Sequence, residues 1–148
     1  MSSTSMAYDF TEVRESGIHG LGVFAKVDIP KGTIWWKGEA DKNVLLLNRD
    51  QYHNFLLSDH APLKAHFWDV LATYSYYAPQ VDALVLCLDN VRYVNHCKSP
   101  NSHTPIDAFP LVSVALRDIK QGEEIVEDYD EYLFCPWAEE LDKMRWPT

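Results

Sequence analysis

The sequence predicts a mainly β fold with short helices, a mixed α+β arrangement in one domain. Three observations carry this. Short extended segments rich in β-branched and aromatic residues, separated by Gly, Pro and Asn turn chemistry, occupy both ends of the chain. Helical spacing of apolar residues is confined to the middle. The 148 residues, 47% of them hydrophobic, suffice for one core and no more.

The elements follow in order. Residues 1–7 are Ser/Thr-rich and read as a disordered leader, without the basic and apolar stretches of a secretion signal. A domain over 8–134 then opens with a β-meander: extended residues 9–14, the turn Ser16-Gly17-Ile18-His19-Gly20-Leu21-Gly22, extended 23–29, a Pro30-Lys31-Gly32 turn and extended 33–36. A helical insert over about 41–80 follows, with helices at 48–58 and 62–74. Asp59 is suited to cap the second, and Pro62 to stand near its first position. Extended structure returns at 83–88, 111–116 and, after Gln121-Gly122, 124–129. The tail, 135–148, has the pattern of a short amphipathic helix over 137–145.

Composition excludes several classes. With 13 Lys+Arg against 22 Asp+Glu the formal net charge is −9, which repels a phosphate backbone, so nucleic acid is not an expected partner and a basic peptide is. No apolar run approaches the roughly 20 residues of a membrane span. Cys87, Cys97 and Cys135 form no C-x-x-C pair, which argues against a disulfide framework or a four-thiolate zinc site and for a reducing, cytoplasmic setting. His60 and His66 near Asp59, and His103 near His96, match no usual ligand spacing, and no metal is expected.

Three segments carry chemistry. In His19-Gly20-Leu21-Gly22 two glycines let backbone approach a ligand closely, although a plain hairpin turn has the same form. Residues 92–101, Arg-Tyr-Val-Asn-His-Cys-Lys-Ser-Pro-Asn, set the donors and acceptors of Asn95 and His96 side by side, able to hold a zwitterion. Residues 123–131 are acidic at six of nine positions and include Tyr129, a run suited to attracting a basic peptide or to a solvated strand end.

Taken together and in this order, the segments resemble the SET-domain protein lysine methyltransferases. The family's glycine turn is similar to His19-Gly20-Leu21-Gly22, its Tyr-x-Gly strand to Trp36-Lys37-Gly38, its R-F-x-N-H-S-C-x-P-N loop to residues 92–101, and its E-L-x-x-D-Y to Glu124-Ile125-Val126-Glu127-Asp128-Tyr129. The resemblance covers about residues 9–132. It implies a β-clip of small curved sheets with a C-terminal pseudoknot, an exception among otherwise unthreaded folds. It implies S-adenosylmethionine as methyl donor, held by His19, Gly20, Leu21, Gly22, Arg92, Asn95 and His96, and a lysine channel with Trp36, Asp128 and Tyr129, of which Tyr129 is the catalytic residue. Cofactor and substrate would enter from opposite faces. The expected activity is transfer of methyl to a lysine side-chain amine in a protein or basic peptide, with an inactive peptide-binding module of the same fold as the alternative.

Departures from the pattern are specific. Trp36 replaces Tyr, and an indole donates one hydrogen bond and accepts none. Cys97-Lys98 stands for the usual Ser-Cys, and the family's C-terminal zinc-binding cysteine triplet is represented only by Cys135. Trp137 offers a ring face to cover the adenine, or equally an anchor for the tail.

Overall fold

A computed structural model describes residues 6–145, in which three small sheets enclose one core and a helical layer packs at one side. A helical turn, α1 (Ala7–Phe10), precedes β1 (Thr11–Glu15) and β2 (Leu21–Ala25). Ala7 is fully buried, so the ordered domain begins earlier than the leader boundary read at residue 7, and residues 1–5 of that leader lie outside the described residues. Next come β3 (Ile34–Gly38), β4 (Val44–Leu47), α2 (Arg49–Leu56), α3 (Ala61–Tyr74), β5 (Ser75–Ala78) and β6 (Ala83–Cys87). The chain ends through β7 (Asn95–His96), β8 (Ser102–His103), β9 (Leu111–Ala115), β10 (Glu124–Glu127) and α4 (Glu139–Arg145).

The sheets order as β1-β2-β10-β7, β3-β9-β8 and β4-β6-β5. The last corrects the insert, whose two helices are flanked by the strands β4 and β5 on either side of β6. Four consecutive apolar residues in β4 carry no alternation, and the aromatic pair of β5 follows α3 without a Gly or Pro break, so neither shows a strand period of its own. Their pairing with β6 decides them. Helix α2 begins with a reciprocal capping box between Asn48 and Gln51. Helix α3 is capped by His60, whose Nδ1 accepts from Leu63 N–H at 3.2 Å, and not by Asp59: the helix starts at Ala61, which makes His60 the flanking residue. Helix α4 starts two residues later than its apolar pattern, after the turn closed by Ala138 N–H onto Cys135 C=O.

The core gathers Val23, Ile29, Trp35, Trp36, Val85, Ile119 and Ile125, all at most 1% exposed. Strict alternation would turn one of two adjacent tryptophans outward. A register shift between Ile34 and Trp36 along β9, a β-bulge, buries both. A second cluster around Tyr52, Leu71, Tyr77, Leu84 and Leu141 fastens α4 to the insert. No helix among the described residues is long and apolar enough to cross a membrane.

Candidate active site

The site is assembled by strand β10. It pairs antiparallel with β2, which carries the glycine turn, and parallel with β7, with Val126 opposite Asn95 and Glu127 opposite His96. The chain beyond β7 then folds across it: Cys97 N–H bonds Glu127 C=O, and the buried Asn101 side chain donates to Glu124 C=O and accepts from Val126 N–H, both at 2.9 Å. This crossing holds the Asn-His segment and the Asp-Tyr segment side by side, as the implied pseudoknot requires.

On one side of β10 lies the glycine turn. Asn95 Nδ2 shares its two hydrogens among three acceptors, His19 C=O and Leu21 C=O, each at 3.1 Å, and Glu124 Oε2 at 2.9 Å. Glu124 also accepts from Ser16 Oγ at 2.8 Å, so one carboxylate ties both ends of the turn. Gly22 is required here, because a Cβ would run into the Glu124 carboxylate and stand 3.0 Å from Ser16 Cβ. Gly20 adopts φ +47° with nothing within 4 Å of where a Cβ would stand, leaving the turn's backbone open to a ligand.

On the other side Tyr129 begins a 3-10 turn capped by the Asp128 side chain, which accepts from Asp130 N–H at 3.0 Å. His96 Nδ1 accepts from Tyr129 N–H at 3.0 Å, which leaves the imidazole proton on Nε2 in the neutral ring. The Tyr129 ring is 38% exposed, but its hydroxyl turns inward and donates to Val94 C=O. Burial and then the nearby Glu127 charge push its pKa up to about 12. The phenol therefore stays protonated through the neutral range.

Next to Tyr129 opens a cavity of about 280 Å³. Trp36, Tyr76, Tyr132, Arg92, Val94, Thr104 and Glu127 line it together with the end of α3 and Met144 and Arg145 of α4. Trp36 is fixed by its indole N–H, which donates to Asp89 at 3.0 Å, and by Gly38, where a Cβ would meet the indole at 2.7 Å. Arg92 lies 3.8 Å over the Tyr74 ring, a cation–π contact at the cavity wall. Arg145 donates to Leu71 C=O and Ser75 Oγ, both at 2.7 Å, and clips the tail helix against this wall.

The structure thus brings Asn95 onto the His19-Gly20-Leu21-Gly22 turn beside Glu124, sets His96 at the far end of β10 against Tyr129, and gathers Trp36, Arg92 and Tyr129 around the cavity. Arg92 stands with the channel residues, stacked on Tyr74, and not at the glycine turn. Trp137 is elsewhere: its indole N–H donates to Asp82 at 2.9 Å and its ring packs edge-on against Tyr52 and Tyr77. It anchors the tail, the second of the two roles open to it in the sequence. The acidic run is also more occupied than its composition implies. Glu124 and Glu127 point inward, Glu123 pairs with Arg117 at 3.1 Å, and Lys98 pairs with Asp130. Tyr132 and Glu127 were not legible as site residues, since one looks like a core aromatic and the other like one more surface acid. Among the described residues no group of three or more His, Cys, Asp or Glu side chains is placed to hold a metal.

This geometry coincides with a known family. The SET domain family model matches residues 20–130, and the chain belongs to the SET-domain family. It is similar to the histone-lysine N-methyltransferase trithorax of Drosophila melanogaster, 28% identical over 138 residues, covering 86% of this chain but 3% of that protein. Solved structures share the fold. A candidate histone methyltransferase of Plasmodium falciparum superposes with a TM-score of 0.53 at 19% identity, covering 81% of this chain and 92% of the other. An inhibitor-bound, humanized Polycomb Repressive Complex 2 of Chaetomium thermophilum gives 0.54 at 19% identity over 85% of this chain and 15% of the other. An apo ctPRC2 structure gives 0.57 at 21% identity over 92% and 16%.

Proposed function

We propose that this protein is an S-adenosylmethionine-dependent protein-lysine N-methyltransferase acting on lysine in a basic protein segment. The observation that carries the reading is the single strand β10, which holds an open, Asn95-braced glycine turn on one side and Tyr129 with an aromatic cavity on the other. The relatives' histone substrates favour a histone-like basic segment.

S-adenosylmethionine, when bound, supplies an electrophilic methyl group and a sulfonium charge. The open face at Gly20 and the imidazole Nε2–H of His96 fit such a zwitterionic ligand. The residues of this chain then have three tasks. The turn and Asn95 fix the donor's position, because in-line transfer needs the amine about 3–3.5 Å from the methyl carbon. The rings of Trp36, Tyr76, Tyr129 and Tyr132 exclude water from the lysine stem, and desolvation favours the neutral, nucleophilic amine over the ammonium form, whose ordinary pKa is about 10.4. Tyr129, protonated throughout the neutral range, orients the amine and leaves proton removal to solvent.

Calorimetric titration with S-adenosylmethionine tests this, with the wild type beside Asn95→Ala. Saturable binding by the wild type that the variant weakens supports the reading. Equal binding by both, or none by either, contradicts it, and binding without methylation of any basic peptide favours the inactive module.

A further inference from the structure

The aromatic cavity contains one charged group that the methyl-transfer reading leaves without a task. Glu127, on β10, is 3% exposed and lines the cavity beside Tyr129 and Tyr132. Its Oε1 accepts from Tyr132 Oη at 2.7 Å and Thr104 Oγ1 at 3.0 Å, and its Oε2 accepts from Ser102 Oγ at 2.9 Å. Trp35 Nε1, which can only donate, gives its hydrogen to Ser102 Oγ at 2.9 Å, which leaves the Ser102 hydrogen available to Glu127. These hydroxyl partners offset part of the desolvation that raises the Glu127 pKa, so a cation entering the cavity would stabilise the ionised form.

No Lys or Arg among the described residues forms an ion pair with it: Arg92, also at the cavity, lies over the Tyr74 ring, and Arg145 donates to Leu71 C=O and Ser75 Oγ, while burial raises the Glu127 pKa against its hydrogen bonds. An anion buried in this way is costly unless a cation joins it. A second observation points into the same space: the buried Tyr76 hydroxyl, also at the cavity, has no hydrogen-bond partner. Five rings, Trp36, Tyr74, Tyr76, Tyr129 and Tyr132, share the lining with Arg92 and Arg145. Aromatic walls suit an alkyl stem and a cationic head, and one buried carboxylate supplies the missing opposite charge.

We propose that Glu127 is the counter-charge of the substrate's ammonium group, so that the cavity admits a lysine side chain as a cation and rejects a neutral chain of the same length. This rests on the lysine methyltransferase reading. The ion pair contributes to capture. It holds the ammonium form and so does not help the later loss of the proton, which separates this role from that of a general base.

The test follows the Trp36 indole N–H by NMR while n-butylammonium or n-butanol is titrated into the full chain. The wild type is expected to bind the ammonium about tenfold or more tightly than the alcohol, and Glu127→Gln to bring the two together. With a lysine peptide, Glu127→Gln is expected to raise KM about tenfold and to leave kcat unchanged or higher. Equal binding of the two probes by the wild type overturns the proposal. So does a folded Glu127→Gln with unchanged ammonium binding, or one whose kcat falls while KM holds. If Glu127→Gln does not fold, the wild-type comparison of the two probes decides alone: tighter ammonium binding supports the proposal and equal binding overturns it. Charge-selective probe binding without peptide methylation removes the enzyme reading alone, and methylation without charge selectivity removes this inference alone.

Discussion

Asn95 shows how much one side chain does. Its amide nitrogen serves two carbonyls of the glycine turn and the Glu124 carboxylate, linking elements far apart in sequence. Asn95→Ala is expected to lower stability by about 1–3 kcal/mol, read by chemical denaturation, besides weakening cofactor binding. Gly38 is set by its neighbour two residues away: an added Cβ would stand 2.7 Å from the Trp36 indole and 3.3 Å from Leu111 Cβ. Gly38→Ala is expected to cost about 1–3 kcal/mol and to shift Trp36 fluorescence, because the packed indole must move. Both positions were legible in the sequence, where Asn95 stands in a polar loop and Gly38 follows a Trp-Lys pair. Their partners were not. Glu124 reads as one acid in an acidic run, and only the pairing of β10 with β2 turns it toward the turn.

At the scale of the element, legibility follows the range of the interactions. Residues 83–88 and 111–116 are β-branched or apolar runs bounded by turns, and the strands observed there lose only a terminal residue. Strands β4 and β5 have no such local signature and exist because β6 lies between them. The Trp137 anchor depends likewise on Asp82, 55 residues away. The crossing of residues 95–101 over β10 has its own test. Asn101 is 1% exposed and satisfies both the Val126 N–H and the Glu124 C=O, so Asn101→Ala strands two buried backbone groups. A loss of about 2–4 kcal/mol is expected, with Asn101→Asp in between because it keeps the acceptor and loses the donor. Urea unfolding of the three proteins measures it.

Across the whole molecule, the charge of −9 is distributed unevenly, with part of the acidity turned inward. Burial raises the Glu127 pKa above its ordinary value, its hydrogen bonds opposing the shift. The folded protein then holds this proton more tightly than the unfolded chain. The contribution of Glu127 to stability is therefore full below the unfolded pKa and is lost as pH rises through the folded one. Denaturation midpoints measured from about pH 4 to pH 8 should show this decline in the wild type and lack that component in Glu127→Gln. A wild-type and variant difference independent of pH would contradict it. The same buried carboxylate is where a substrate cation would recover the cost.

If β10 joins a donor turn to an amine channel, as proposed, methyl transfer measures it most directly. Incubation of the protein with S-adenosylmethionine and a mixture of basic, lysine-containing peptides, followed by mass spectrometry, should show added methyl groups on lysine. Tyr129→Phe should lose most of that signal while keeping the stability of the wild type to within about 1–2 kcal/mol. Peptides left unmodified by a folded, cofactor-binding wild type, or methylation undiminished in Tyr129→Phe, would contradict it.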